Sequence, residues 1–144
     1  MRFYFLFLLL LTVPSLFLSA QVEQTFDKND DGKTDTWITL ENDDVRLIRV
    51  DTSFNGKVDY ILRTDLENRK IYEEIDYNHD AKMDDFYYYL DGILEHREID
   101  SNYDGQVDIW VYLQEGVYIS EYARDTDYDG VVDLRKTYAE ETVD

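Results

Sequence analysis

The chain has 144 residues, with 33 Asp and Glu against 14 Lys and Arg, a net charge of −19 and no cysteine. That charge excludes a nucleic-acid binder built on basic phosphate contacts, and equally a protein drawn to anionic membrane surfaces. The missing thiols exclude a disulfide framework and a cysteine-linked lipid anchor, and the length leaves room for one small domain.

Met1–Ala20 opens the chain with Arg2, an apolar run from Phe3 to Leu11, Pro14, and the small pair Ser19-Ala20. This is the pattern of a secretory signal peptide cleaved after Ala20, which predicts a secreted, periplasmic or cell-surface protein. Pro14 and the shortness of the unbroken run argue against an uncleaved anchor, so no transmembrane helix is expected in the mature chain. Residues 21–144 then form a single domain.

Five nine-residue segments follow at a fixed step: Asp27–Asp35, Asp51–Asp59, Asp76–Asp84, Asp100–Asp108 and Asp125–Asp133. Their first aspartates are 24, 25, 24 and 25 residues apart, the mark of a repeat architecture. The fifth reads D-x-D-x-D-G-x-x-D. Alternate side chains of a curled loop can point at one centre, and Gly at position 6 takes a positive φ without a Cβ clash. Hard cations such as Ca²⁺ want six to eight oxygen ligands, which carboxylates, amides and a position-7 carbonyl supply.

Between the loops lie strand-like runs rich in β-branched and aromatic residues: Thr36–Leu40, Tyr60–Arg63, Phe86–Leu90 and Ile109–Leu113. Polar turns follow, of which Asp91-Gly92 is the clearest hairpin signal. Return strands are predicted over Val45–Val50, Arg69–Ile75, Ile93–Ile99 and Val117–Arg124. In the first of these Val45, Leu47 and Arg49 alternate with Arg46, Ile48 and Val50. The fifth repeat ends in Leu134–Tyr138 and an acidic tail, with no clear return strand. The fold class expected is all-β: an antiparallel meander of about five strand–turn–strand repeats joined by calcium loops, as an open sheet or a curled barrel.

The D-x-[DNS]-x-[DN]-G-x-x-D loop between strands resembles the calcium loops of integrin-type propeller repeats. It is also similar to the aspartate-rich thrombospondin type 3 repeats, both loosely EF-hand-like. The resemblance covers the five loops and implies calcium ligation at these positions. It departs from both families: five hairpins are too few for a closed propeller, and the cysteines of the thrombospondin modules are absent. A helix–loop–helix calcium sensor needs a bidentate Glu at position 12, where this chain has Ile38, Leu62, Tyr87, Val111 and Lys136.

Ligand charge ranks the loops. The metal ligands expected are Asp125, Asp127, Asp129, Val131 and Asp133 in the fifth; Asp27, Asn29, Asp31, Lys33 and Asp35 in the first; and Asp100, Asn102, Asp104, Gln106 and Asp108 in the fourth. The lysine, glutamine and valine enter through their carbonyls. The third offers Asp76, Asn78, Asp80, Lys82 and Asp84, but Ala81 stands where glycine belongs, at a cost of roughly 1 kcal/mol or more. The second, with Asp51, Ser53, Asn55 and Asp59, is weaker because it has two charges.

No catalytic constellation appears, and the chain is expected not to be an enzyme. His79, at loop position 4, is expected in an aromatic column along the loop edge, and His96 on the surface of a return strand. Trp37, Ile61, Phe86 and Trp110 share a repeat position. They form either a packing row on one sheet face or an exposed platform for a glycan or protein. The function expected is structural or adhesive, with Ca²⁺ stabilising the fold and an extracellular protein or glycan as partner. The alternatives are an accessory carbohydrate-binding or hydrolase-associated module, and a calcium sensor.

Overall fold

The computed structural model describes residues 21–138, so the predicted signal peptide and the acidic tail beyond Tyr138 lie outside the described residues. The strands are β1 (Gln21–Phe26), β2 (Thr36–Glu41), β3 (Asp44–Val50), β4 (Tyr60–Thr64), β5 (Lys70–Ile75), β6 (Asp85–Leu90), β7 (Ile93–Ile99), β8 (Ile109–Gln114), β9 (Tyr118–Arg124) and β10 (Leu134–Thr137). They form one ten-stranded sheet in sequence order, antiparallel throughout. The sheet is an open meander. Among the described residues there is no helix, and so none long and apolar enough to cross a membrane.

The nine-residue loops follow β1, β3, β5, β7 and β9, along one edge of the sheet. Short turns join the other strand pairs along the opposite edge. Asn42 and Asp43 (φ 53° and 68°), Asp91 and Gly92 (53° and 81°), and Glu115 and Gly116 (54° and 71°) all lie in the left-handed region. Two consecutive positive φ values define the type I′ turn, whose twist matches that of the flanking strands.

The repeat extends into the irregularities. Each tight hairpin shifts register between the fourth and fifth residues after its loop: Thr39/Leu40, Arg63/Thr64, Tyr88/Tyr89 and Tyr112/Leu113. The partner strand carries one extra residue there, Arg46, Ile71, Glu95 or Ser120, which makes a β-bulge. The bulge corrects the simple alternation expected in β3. Val45 pairs with Leu40, and Ile48 with Ile38, so Val45 shares a face with Ile48 rather than with Leu47.

β1 was not anticipated. Its Gln-Val-Glu-Gln-Thr-Phe sequence has little apolar content and all six residues are exposed, but β2 pairs with it over its whole length. β10 likewise exists because β9 holds it.

Neither face of the sheet carries a second layer among the described residues. The strand interiors are half-buried, and Ala123, 1% exposed, is the one fully buried apolar side chain described. The deeply buried side chains are instead mostly aspartates: Asp35, Asp51, Asp59, Asp76, Asp84, Asp85, Asp100, Asp108 and Asp125, each 0–4% exposed. Eight of these nine are first or last residues of a loop.

Candidate metal-binding edge

Each loop begins and ends on an aspartate, and neighbouring loops are laced through these residues. The N–H of each closing aspartate donates back to the last carbonyl of the strand before its loop, as Asp59 to Val50 at 2.9 Å and Asp108 to Ile99 at 2.9 Å. The N–H of each opening aspartate donates to the closing aspartate of the loop before: Asp51 to Asp35 (2.8 Å), Asp76 to Asp59 (2.9 Å), Asp100 to Asp84 (2.7 Å) and Asp125 to Asp108 (2.9 Å). The backbone therefore runs as a continuous ladder across the loop edge. The aspartate side chains are packed along it.

A buried carboxylate is costly unless it accepts hydrogen bonds. Here the loop backbone supplies them. The opening carboxylate takes N–H groups from the middle of its own loop, as Asp100 from Tyr103 (2.7 Å) and Gly105 (2.6 Å), and Asp51 from Asn55 (3.1 Å) and Gly56 (2.6 Å). The closing carboxylate takes those of positions 2 and 3, as Asp59 from Thr52 (2.8 Å) and Ser53 (2.9 Å). Position 5 caps the position-7 N–H, as Asp31 does for Lys33 (2.9 Å), Asp80 for Lys82 (2.8 Å), Asp104 for Gln106 (2.8 Å) and Asp129 for Val131 (2.9 Å). The amide oxygens of Asn29, Asn78 and Asn102 accept from the N–H two residues on, at 3.0, 2.9 and 3.0 Å.

Curling the loop so tightly takes two left-handed residues. One is the expected position 6, where Gly32, Gly56, Gly105 and Gly130 lie at φ 86–92° and Ala81 is forced to φ 79°. The other, not foreseen, is position 4: Asp30, Phe54, His79, Tyr103 and Tyr128 all lie at φ 57–64°.

The fifth loop brings a carboxylate oxygen from each of Asp125, Asp127 and Asp133 within 4.8 Å of one another, a group that could hold a metal ion. Among the described residues it is the one such cluster of three acidic, histidine or cysteine side chains. Asp129 is outside it, but its charge acts first among the causes that push Asp127 above the usual carboxylate range, with Asp133 and Asp125 adding to it. Burial pulls Asp125 upward, yet N–H groups of Gly130, Tyr128, Asp129 and Asp127 outweigh that and hold it low. A shallow cleft beside this loop is lined by Asp104 and Asp108 of the fourth loop together with Asp125.

The other sets are less gathered. In the first, third and fourth loops the carboxylates are spread over the turn and engaged with backbone N–H groups. In the third loop Asp76 Oδ2 accepts from Ala81 N (2.8 Å), while Asp76 Oδ1 is buried with no hydrogen-bond partner. Asp84, closing the same loop, is held above the usual range by burial first, with the charges of Asp76 and Asp100 adding. The expected ligand positions of the loops all offer oxygen, the chemistry of a hard cation.

The two histidines differ from expectation. His79 reaches sideways to the second loop, with Nδ1 3.2 Å from Asp59 Oδ2. His96 is half-buried and stacked between Tyr88 (ring centroids 4.2 Å apart) and Tyr112 (5.4 Å), with Tyr72 edge-on to Tyr88 at 5.1 Å. Cross-strand register put it there. Trp37, Ile61, Phe86 and Trp110 do share one row of the same face, alternating with Arg49, Glu74 and Glu98, and all four are half-buried. The opposite face carries two polar networks: Glu73 with Tyr60, Tyr89 and Lys70, and the fully buried Asp85 with Arg97 and Tyr87.

No family model matches the chain, and no curated protein does. Among solved structures, the chain is similar to part of the crystal structure of accessory secretory protein 1,2 and 3 in Streptococcus pneumoniae, with a TM-score of 0.49 and 14% identity. The match covers 72% of this chain and 19% of that one, so this chain spans less than a fifth of its neighbour's length. A likeness at that level carries no argument about function.

Proposed function

We propose that the protein is an exported calcium-binding repeat protein with a structural or adhesive role. Ca²⁺ along the loop edge would stabilise the sheet. The observation that carries this reading is the burial of first and last loop aspartates in a sheet with almost no apolar core. Most of its fully buried residues are aspartates, and a row of buried anions gains from bound cations. The gathered Asp125, Asp127 and Asp133 favour the fifth loop as the tightest site, and the unpartnered Asp76 Oδ1 adds a reason for a cation at the third. Ca²⁺, when bound, would supply positive charge where Asp76 Oδ1 lacks a hydrogen-bond partner and where the gathered carboxylates of Asp125, Asp127 and Asp133 repel one another. Because the sites are absent from the unfolded chain, binding free energy becomes folding free energy. For adhesion, the half-buried Trp37–Trp110 row and the Tyr72–Tyr112 stack offer flat aromatic surface suited to a glycan or protein.

Isothermal titration with Ca²⁺, paired with thermal unfolding followed by circular dichroism, tests the reading. Saturable binding and a melting temperature higher in Ca²⁺ than in chelator are expected. A chain that neither binds Ca²⁺ nor changes its melting point reduces the loops to acidic turns.

A further inference from the structure

β1 and β10 each have a single neighbour in the sheet, and together they are the two halves of one repeat step. β10 leaves a loop as β2, β4, β6 and β8 do, and β1 enters a loop as β3, β5, β7 and β9 do. We propose that the outer edge of β10 pairs antiparallel with the outer edge of β1 in a second copy, so that the sheet continues head to tail with all loops on one edge.

The register follows from the repeat. Within the chain, the second residue after one loop faces the second residue before the next: Trp37 faces Arg49, Ile61 faces Glu74, Phe86 faces Glu98 and Trp110 faces Ala123. The same rule sets Arg135 opposite Thr25 of the second copy and Thr137 opposite its Glu23. It also aims the N–H of Asp27 at the carbonyl of Asp133, as Asp51 N–H meets the Asp35 carbonyl at 2.8 Å.

Charge selects this pairing over the others. β10 carries Arg135 and Lys136 and no acid, whereas β1 carries Glu23 and no base. Two β10 edges would set cations against each other, while β10 on β1 sets opposite charges together. Arg135 is paired with Glu121 and Glu23 with Arg49, all on one sheet face. The joint would therefore align Glu121, Arg135, then Glu23 and Arg49 of the second copy, in alternating sign. Every residue of β1 is exposed, as are Arg135, Lys136 and Thr137, so no described element covers either edge. Exposed strand edges are templates for pairing. A head-to-tail contact of this kind repeats into a ring or an open chain.

Sedimentation equilibrium of the full chain, with calcium present and over a concentration series, reads the assembly. The wild type is expected to pass from the single-chain mass to twice that mass and beyond. Thr25→Pro removes an outward N–H from β1, and Arg135→Glu, opposite Thr25, sets an acid diagonally beside Glu23 of the second copy on the same face. Each variant alone should keep a β-type spectrum and stay at the single-chain mass. Mixed, they should form a dimer of twice that mass, since each retains the edge that the other lacks. A wild type that is monomeric throughout, single variants that assemble as the wild type does, or a mixture that stays monomeric would each overturn the proposal.

Discussion

His79 Nδ1 lies 3.2 Å from Asp59 Oδ2, so the third loop touches the closing carboxylate of the second. Asp59 also accepts the N–H groups of Thr52 and Ser53. Burial would raise its pKa, but these bonds hold it below the usual range. The loop's own backbone thus does most of the stabilising. Asp59→Ala, which strands two N–H groups, should cost about 2–3 kcal/mol. His79→Ala removes an exposed partner and should cost no more than about 1 kcal/mol. Urea unfolding of both variants measures the contrast, and equal losses would show that the inter-loop contact governs.

Ala81 and Gly130 test the loop curl from opposite sides. Ala81 stands at φ 79°, so Ala81→Gly should stabilise the protein by roughly 0.5–1 kcal/mol. Gly130 lies at φ 87°, and a Cβ there would meet no atom within 4 Å. Gly130→Ala should therefore destabilise by about 1 kcal/mol through backbone strain alone. Melting temperatures moving in the same direction for both variants would refute this account.

Asp127 should show opposite effects with and without metal. Without it, the charges of Asp129, Asp133 and Asp125 disfavour its ionised form. Asp127→Asn is therefore expected to raise the melting temperature in chelator and lower it in Ca²⁺. Calorimetric titration should read a loss of affinity on the order of tenfold at the tightest site, equivalent to about 1.4 kcal/mol. An Asn variant that binds Ca²⁺ as the wild type does would remove Asp127 from the ligand set.

Glu73 sets an acid limb distinct from the loops. Burial raises it, but hydrogen bonds from Lys70, Tyr89 and Tyr60 bring its folded pKa below the ordinary 4.5. A carboxylate whose pKa is depressed by folding stabilises the protein above its unfolded value, and that stability is lost as pH falls through the folded value. Stability should therefore decline from about pH 5 downward. Glu73→Gln should flatten that part of the curve while lowering stability at neutral pH. An unchanged acid limb in denaturant titrations would assign the decline to other carboxylates.

Asp85 is fully buried and held by Arg97, with Nε at 2.7 Å from Oδ1. Arg97→Leu leaves that carboxylate without its counter-charge and should cost roughly 3–5 kcal/mol. The double variant with Asp85→Leu should recover most of the loss, since it removes the stranded charge as well. A double variant no more stable than Arg97→Leu alone would show that packing, not charge, is at stake.

The repeat period, the loop spans, eight of the ten strands and the edge on which the loops lie could all be read from the residues. These are local facts: turn chemistry at Asp91-Gly92, glycine at position 6 and β-branched runs act within a few residues of themselves. The acidic loop positions were legible too as residue types, and the fifth loop, which carries the most carboxylates, is where three of them gather. What the sequence could not carry depends on register between strands. β1 is a strand because β2 pairs with it over its whole length; Val22, Thr25 and Phe26 favour a strand, but six fully exposed residues have no burial of their own to hold one. Val45 changes face because Arg46 bulges, and His96 is enclosed because Tyr88 and Tyr112 lie in its row on neighbouring strands. The burial of the aspartates belongs to the same class. Each loop supplies hydrogen bonds to its own carboxylates, but only stacking one loop against the next removes them from water, and that stacking exists in the folded sheet alone.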